Sequence, residues 1–271
     1  MTRVYEPGKK THKDENFPVA SYLIHSKYRS AVLAFYRFAR ASDNVADHPD
    51  LSAAEKIAAL DQFEATLLGR NDDVEAALPL RAELATRRLS PQHALDLLKA
   101  FRQDALKQRY QNWEELMQYC AYSAAPVGRF VLDVHGESEG LWPASDAVCS
   151  VLQIINHLQD CKIDYLRLNR VYIPQDALVR YGVTEEVLAM PAASPGLRQC
   201  ITELAQRTQD LLVPFSAQIR NKRLRVEIGV IERLAAKLLV LLQTRDTLKE
   251  RVHLHKFQMI TTALAAIFAK G

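Results

Sequence analysis

The chain has 271 residues, 48% of them hydrophobic and 25% charged, which excludes an intrinsically disordered or low-complexity protein. Only 9 are glycine, well below the roughly 7% average, so folds that spend Gly on phosphate-cradling loops lose weight against an all-α one. The 35 Lys and Arg against 32 Asp and Glu leave a net charge of +3, too small a bias to point to nucleic acid as a partner.

The N-terminal stretch MTRVYEPGKKTHKDENFP is polar and carries Glu6, Asp14 and Glu15, without the apolar core of a signal peptide. From Ser30 onward, Val32, Phe35, Tyr36 and Ala39 recur at three-and-four spacing and predict an amphipathic helix. Ser52, with Glu55 in the capping-box position, predicts the start of a helix that covers 57–68 and stops at Gly69. Ser90 and Pro91 open the next, which carries Leu95, Leu98, Phe101 and Leu106. One further helix is expected over 113–134, ending at Gly136, and another over 146–168 after Pro143. Residues 171–194 read as turns with one brief helix, followed by long helices over 196–219 and 224–242 and a last one over 254–269. No alternating strand pattern, internal repeat or linker is evident, so a single all-α domain over 1–271 is expected.

The apolar run 260–269 is far short of the ~20 residues of a membrane span. Cys120, Cys149, Cys161 and Cys200 show neither metal-ligand nor disulfide-framework spacing, and a reducing, cytoplasmic compartment is the expectation. Between Arg220 and Lys256 stand ten Lys and Arg against four Asp and Glu, with Arg220, Lys222, Arg223 and Arg225 close together. That cluster reads either as a solvated helix end or as an attraction to an anionic membrane surface or substrate.

Chemistry is expected where a polar stripe interrupts an otherwise apolar helix. Tyr36, Arg40, Asp43 and Asp47 fall at offsets 0, 4, 7 and 11, and Gln153, Asn156, Asp160 and Asp164 at 0, 3, 7 and 11, so each set shares a helix face. Both stripes end in Asp-x-x-x-Asp. The second helix is expected to be apolar almost all round, through Val148, Val151, Leu152, Ile154, Ile155, Leu158 and Ile163. Two carboxylates one turn apart in a low-dielectric site repel each other unless a cation lies between them. Mg²⁺ suits that need, since it takes carboxylate oxygens and water and completes its shell with substrate phosphates. A single such motif is usually a solvated face; a matching pair, one of them on an apolar helix, favours a diphosphate held through Mg²⁺.

In these segments the chain resembles the squalene/phytoene synthase family. The likeness runs through ENFPVAS at 15–21, YRFARASDNVAD at 36–47, YCAYSAAPVG at 119–128, QIINHLQDCKID at 153–164 and NRVYIP at 169–174. Within the family it is most similar to the bacterial hopanoid-pathway branch, the hydroxysqualene synthases. The resemblance implies an isoprenoid-synthase fold, a helical bundle with the two aspartate stripes facing each other across a deep central cavity. It implies Asp43, Asp47, Asp160, Asp164 and Asn156 as Mg²⁺ ligands and Tyr36, Arg40, Gln153, Arg170 and Tyr172 at the diphosphate end. Tyr122 matches a tyrosine of the catalytic set, and Asn16 and Phe17 match the N-terminal substrate-binding segment, Asn16 standing where Ser is usual. Asn44 stands where many members have a second consecutive Asp, and Asn169 replaces a Gly before Arg170. Phe17, Tyr22, Phe35, Phe38 and Phe130 are candidates for lining the cavity or for ordinary core packing.

For the branch, the resemblance implies ionisation of presqualene diphosphate, supplied by a sister enzyme, and capture of the rearranged cation by water to give hydroxysqualene, which another enzyme reduces. It implies no nicotinamide and a cytoplasmic protein peripheral to the inner membrane face. Two alternatives stay open: a synthase joining two prenyl diphosphates to presqualene diphosphate, squalene or a phytoene-type product, and a non-catalytic helical scaffold or assembly factor. Intact aspartates at all four positions favour catalysis.

Overall fold

Where proline and glycine fall decides most helix boundaries in this chain. The computed structural model describes residues 25–254. Ten α-helices form among them: α1 (Ser26–Ala46), α2 (Ala53–Leu67), α3 (Leu78–Arg87), α4 (Gln92–Leu106), α5 (Trp113–Ser123), α6 (Ala125–His135), α7 (Trp142–Leu168), α8 (Gln175–Arg180), α9 (Pro195–Leu211) and α10 (Lys222–Thr244). No strand forms among the described residues; one isolated parallel bridge joins Arg109 to Val171. The helix expected over 254–269 lies, apart from Leu254, outside the described residues. Two compact units divide the chain, Met1–Leu106 and Lys107–Gly271.

In the first unit α1 packs against α2, α3 and α4. It starts at Ser26, four residues before the expected Ser30, because the His25 side chain caps it by accepting the Lys27 N–H. Phe38 is fully buried and meets Phe63 edge to face at 5.6 Å. Ser52 and Glu55 form the expected capping box. The sequence gives little sign of α3, in which only Leu80 and Leu84 are buried. Its anchor is polar: Arg81 donates to the carbonyls of Thr66 and Asn71 at 2.9 and 3.0 Å, tying α3 to the end of α2.

In the second unit α7 packs against α5, α6, α9 and α10. The single helix expected over 113–134 is two helices, broken at Ala124 (φ −124°, ψ −49°). Pro126 is the cause: it has no N–H for the preceding turn, and its ring would collide with that turn's carbonyl, so the chain restarts with proline in the first turn of α6. A Cβ on Gly128 would lie 2.3 Å from Ser145 Oγ and 2.6 Å from Cys149 Sγ, so α6 crosses α7 at a distance only glycine permits in this packing. Pro143 sits inside the first turn of α7, which therefore begins at Trp142 and not near 146.

The helix expected over 196–219 ends at Leu211, ahead of Pro214. Phe215 and Ile219 then turn into the core beside Leu132, Val148 and Leu224. Buried Glu232 holds this turn, its Oε1 accepting the N–H groups of Phe215 and Ser216 at 2.7 and 3.0 Å. All four cysteines are unpaired; burial pushes the thiols of Cys120, Cys161 and Cys200 up to about 12 and that of Cys149 to about 11. Among the described residues, no helix is long and apolar enough to cross a membrane.

Candidate active site

The first stripe straddles the end of α1. Tyr36, Arg40 and Asp43 lie on the helix, whereas Asp47 is its C-cap (φ −91°, ψ 0°), giving its N–H to the Asp43 carbonyl at 2.9 Å. The carbonyls of a helix C-terminus carry partial negative charge, and the last turn of α1 contains no basic residue. Two carboxylates there are electrostatically adverse, which raises the affinity for a cation. Arg40 offsets part of the load: its Nη1 pairs with Asp43 Oδ2 at 2.9 Å, with the two side chains 29% and 31% exposed. Its Nε is buried and has no hydrogen-bond partner among the described residues.

The second stripe lies inside a helix that continues past it. Gln153, Asn156, Asp160 and Asp164 are all half-buried on α7, four residues of which follow Asp164. The expectation that this helix is apolar almost all round needs correction. Val148, Val151, Ile154, Ile155 and Leu158 are buried, but Ile163 is 51% and Leu166 58% exposed. These two lie three residues apart on one face, beyond Cys161, the last residue of α7 to be buried. Low dielectric therefore surrounds the start of the stripe more than its end.

Beyond α7 the chain folds back through a left-handed turn. Asn169 has φ +52°, ψ +34°, and the N–H of Arg170 returns to the Asp164 carbonyl at 3.1 Å, closing the helix in the manner that normally calls for glycine. Asn tolerates this conformation better than other side chains. Arg109 clamps the turn, donating to Asn169 Oδ1 at 2.7 Å and to Glu185 through two nitrogens at 2.5 and 2.7 Å. The segment 108–111 runs alongside, with Val171 N–H bonded to the Gln108 carbonyl and Gln175 N–H to that of Tyr110, each at 2.9 Å.

That return brings Arg170 and Tyr172, both buried, against α7. Tyr172 stacks on His157 with centroids 3.6 Å apart and rings 13° from parallel, and it also contacts Tyr110 at 5.6 Å and Tyr119 at 5.4 Å. The hydroxyls of Tyr119 and Tyr172 are 3.5 Å apart. Burial first, and the Arg170 charge second, pull the His157 imidazole down to about 3, so it is neutral in the physiological range. Its Nε2 is buried with no hydrogen-bond partner among the described residues.

The sequence singles out Arg170 and Tyr172 but not His157, Tyr110, Tyr119 and Arg109, which the structure gathers around them. Helical spacing contains a signal for His157, four residues after Gln153 and seven before Asp164; nothing local marks Tyr110 or Arg109. Tyr122 stands in the last turn of α5 and is 42% exposed. Phe35, Phe38 and Phe130 are buried in the cores of their units. Asn16, Phe17 and Tyr22 lie outside the described residues.

Among the described residues, no three His, Cys, Asp or Glu side chains come together as a metal cluster. Each stripe instead offers two carboxylates one turn apart, with Asn156 a turn before Asp160 on the second. Such a donor set cannot close a cage for zinc or calcium. It fits Mg²⁺, which binds through one or two carboxylates and keeps its other positions for water and phosphate oxygens.

Residues 10–258 match the family model described as squalene/phytoene synthase. A protein described as hydroxysqualene synthase from Rhodopseudomonas palustris is 51% identical, covering 95% of this chain and 89% of that one. A second with the same description, from Sinorhizobium fredii, is 49% identical over 94% of this chain and 89% of its own length. Among solved structures, a squalene synthase from Alicyclobacillus acidocaldarius is 31% identical and superposes with a TM-score of 0.72, covering 82% of this chain and 85% of that one. The all-α architecture is accordingly that of the isoprenoid synthases.

Proposed function

Because the chain belongs to the squalene/phytoene synthase family, we propose that it is a hydroxysqualene synthase. It ionises presqualene diphosphate, rearranges the resulting cyclopropylcarbinyl cation and captures one water, releasing hydroxysqualene and diphosphate. The observation that carries this reading is the 51% identity, across 95% of the chain, to a relative described by that activity. The four aspartates favour an enzyme over a scaffold.

Heterolysis of the carbon–oxygen bond places negative charge on the leaving diphosphate, so groups that bind the departing anion better than the ester lower the barrier. Asp43 and Asp47 on α1, and Asn156, Asp160 and Asp164 on α7, would hold Mg²⁺, which would supply that stabilisation. Arg40 adds a fixed positive charge beside Asp43. Arg170 adds another which, being buried, is weakly screened. Tyr36, Gln153 and Tyr172 orient the diphosphate end, with Asn16 and Phe17 contributing to substrate binding and Tyr122 to catalysis. His157 remains uncharged beside Arg170 and so adds no second positive charge there.

The reaction needs one enzyme that makes presqualene diphosphate and another that reduces the alcohol, and it consumes no nicotinamide. Turnover of presqualene diphosphate in ¹⁸O-labelled water with Mg²⁺ should give labelled hydroxysqualene at a rate independent of NADPH. Squalene formed only with NADPH, or efficient conversion of farnesyl diphosphate, would move the chain to another branch of the family.

A further inference from the structure

Within the second unit, the end of α9, the turn after it and the first half of α10 line a half-open cavity of about 450 Å³, to which no residue of either aspartate stripe contributes. Its size is that of a small-molecule site. Two guanidinium groups line it, Arg225 and Arg233, eight residues apart and so on one face of α10, opposite an apolar wall that includes Leu212 and Pro214.

The fold leaves these cations under-used. Arg225 donates its Nε to the Ile219 carbonyl at 2.7 Å, and its terminal nitrogens have no partner among the described residues. Arg233 makes no hydrogen bond or ion pair among them, and its Nη1 is buried. A buried guanidinium nitrogen without an acceptor is costly unless an acceptor arrives. The carboxylate in the lining, Glu232, turns its Oε1 to the backbone of Phe215 and Ser216 and forms no ion pair with either arginine among the described residues.

Gly229 lies midway between the two arginines, inside a 23-residue helix where glycine is a poor helix former. A Cβ there would be 3.4 Å from Ser216 Oγ and 3.7 Å from Ser216 Cβ, ordinary van der Waals contact, so packing does not demand glycine. Its effect is to keep the cavity floor open between the two guanidinium groups. Lys222 and Arg223 are exposed at the start of α10, and Arg220 just ahead of it is exposed with its guanidinium on the Gly136 carbonyl and near Glu137.

We infer that this cavity is a second anion site, which takes a phosphate or phosphodiester group between Arg225 and Arg233, with any apolar remainder against Leu212 and Pro214. Paired guanidinium forks match phosphate oxygens. The apolar wall and the exposed flanking cations suit the headgroup of an anionic phospholipid, and free phosphate shares the same chemistry.

The test uses the full chain in EDTA, which removes Mg²⁺-dependent phosphate binding, with Arg233→Gln, Gly229→Leu and, as a flank control, Arg223→Gln. Co-sedimentation with phosphatidylcholine vesicles, with and without phosphatidylglycerol, probes the lipid source; calorimetry with inorganic phosphate probes the free one. Arg233→Gln and Gly229→Leu should each weaken the binding roughly tenfold, and Arg223→Gln should weaken it less. Gly229→Leu replaces a poor helix former and fills the cavity, so it decides the matter should Arg233→Gln fold badly. Binding to phosphatidylglycerol vesicles without calorimetric binding of phosphate assigns the lipid; calorimetric binding without a vesicle preference assigns the free anion. Failure of both probes to bind, or binding that neither cavity variant weakens, overturns the site. Turnover of presqualene diphosphate in detergent should be unchanged in both cavity variants, which separates failure here from failure of the enzyme reading.

Discussion

The Asp-x-x-x-Asp motifs of α1 and α7 are alike in sequence and unlike in support. On α1 the second aspartate caps the helix, at its negative end, and the first pairs with the half-buried Arg40. On α7 both aspartates precede the helix end, and the turn beyond is braced by Arg109 and by a stack of buried rings. The spacing of polar residues tells which side chains share a face. It does not tell where the helix stops, and the stopping point sets how strongly each pair of carboxylates depends on a cation.

The largest expected effect treats the two motifs alike. Asp→Asn at Asp43, Asp47, Asp160 or Asp164 should each lower turnover of presqualene diphosphate by at least a factor on the order of 10², with far-UV circular dichroism unchanged. A variant at one stripe that keeps full turnover would remove that stripe from the metal assignment.

Stability should then separate them. His157→Ala opens the ring stack and should cost roughly 2–4 kcal/mol in denaturant unfolding. In acid the unfolded chain protonates this imidazole from about pH 6.5 downward, whereas the stacked ring resists until about 3. Its contribution is therefore present above the unfolded value and lost as pH falls through that window. His157→Phe should flatten the acid side of the stability profile, and an unchanged profile would show that the ring titrates normally.

At the α7 turn, Asn169→Ala should cost about 1–2 kcal/mol, from the left-handed backbone and the lost Arg109 bond. Asn169→Gly, which relieves the first, should cost less; an equal loss in both variants would mean that the Arg109 contact dominates.

The smallest effect sharpens the contrast most. Without Mg²⁺, Asp47→Asn removes a charge from the negative end of α1 and should stabilise the protein by about 0.3–1 kcal/mol, whereas Asp160→Asn should not stabilise it. Thermal melts in EDTA give the comparison directly, and equal shifts would show that helix-end electrostatics does not distinguish the motifs.

Much of this was readable where one helix carries the whole signal. Ser52 and Glu55 announce α2, and both stripes follow from offsets along a single helix. Pro126 also announced the α5–α6 break, since proline cannot continue a helix interior; the long apolar pattern around it obscured that rule. Other features were not local. Tyr110, Tyr119 and Tyr172 come from three segments that only the backbone pairing of 108–111 with 171–176 brings together. The weak apolar signal of α3 reflects an element held partly by Arg81 and not by a hydrophobic face alone.

The borders of α7 have a consequence for its rotational phase. Pro143 cannot donate to a turn added ahead of it, and left-handed Asn169 ends the helical path, so the helix can neither creep backward nor run on. Each residue advances a helix by about 100°. One residue inserted between Pro143 and Gln153 would thus swing Gln153, Asn156, Asp160 and Asp164 together by more than a quarter-turn relative to the start of α7. The aim of the second aspartate pair is in this sense a property of helix length, written in two residues outside both stripes.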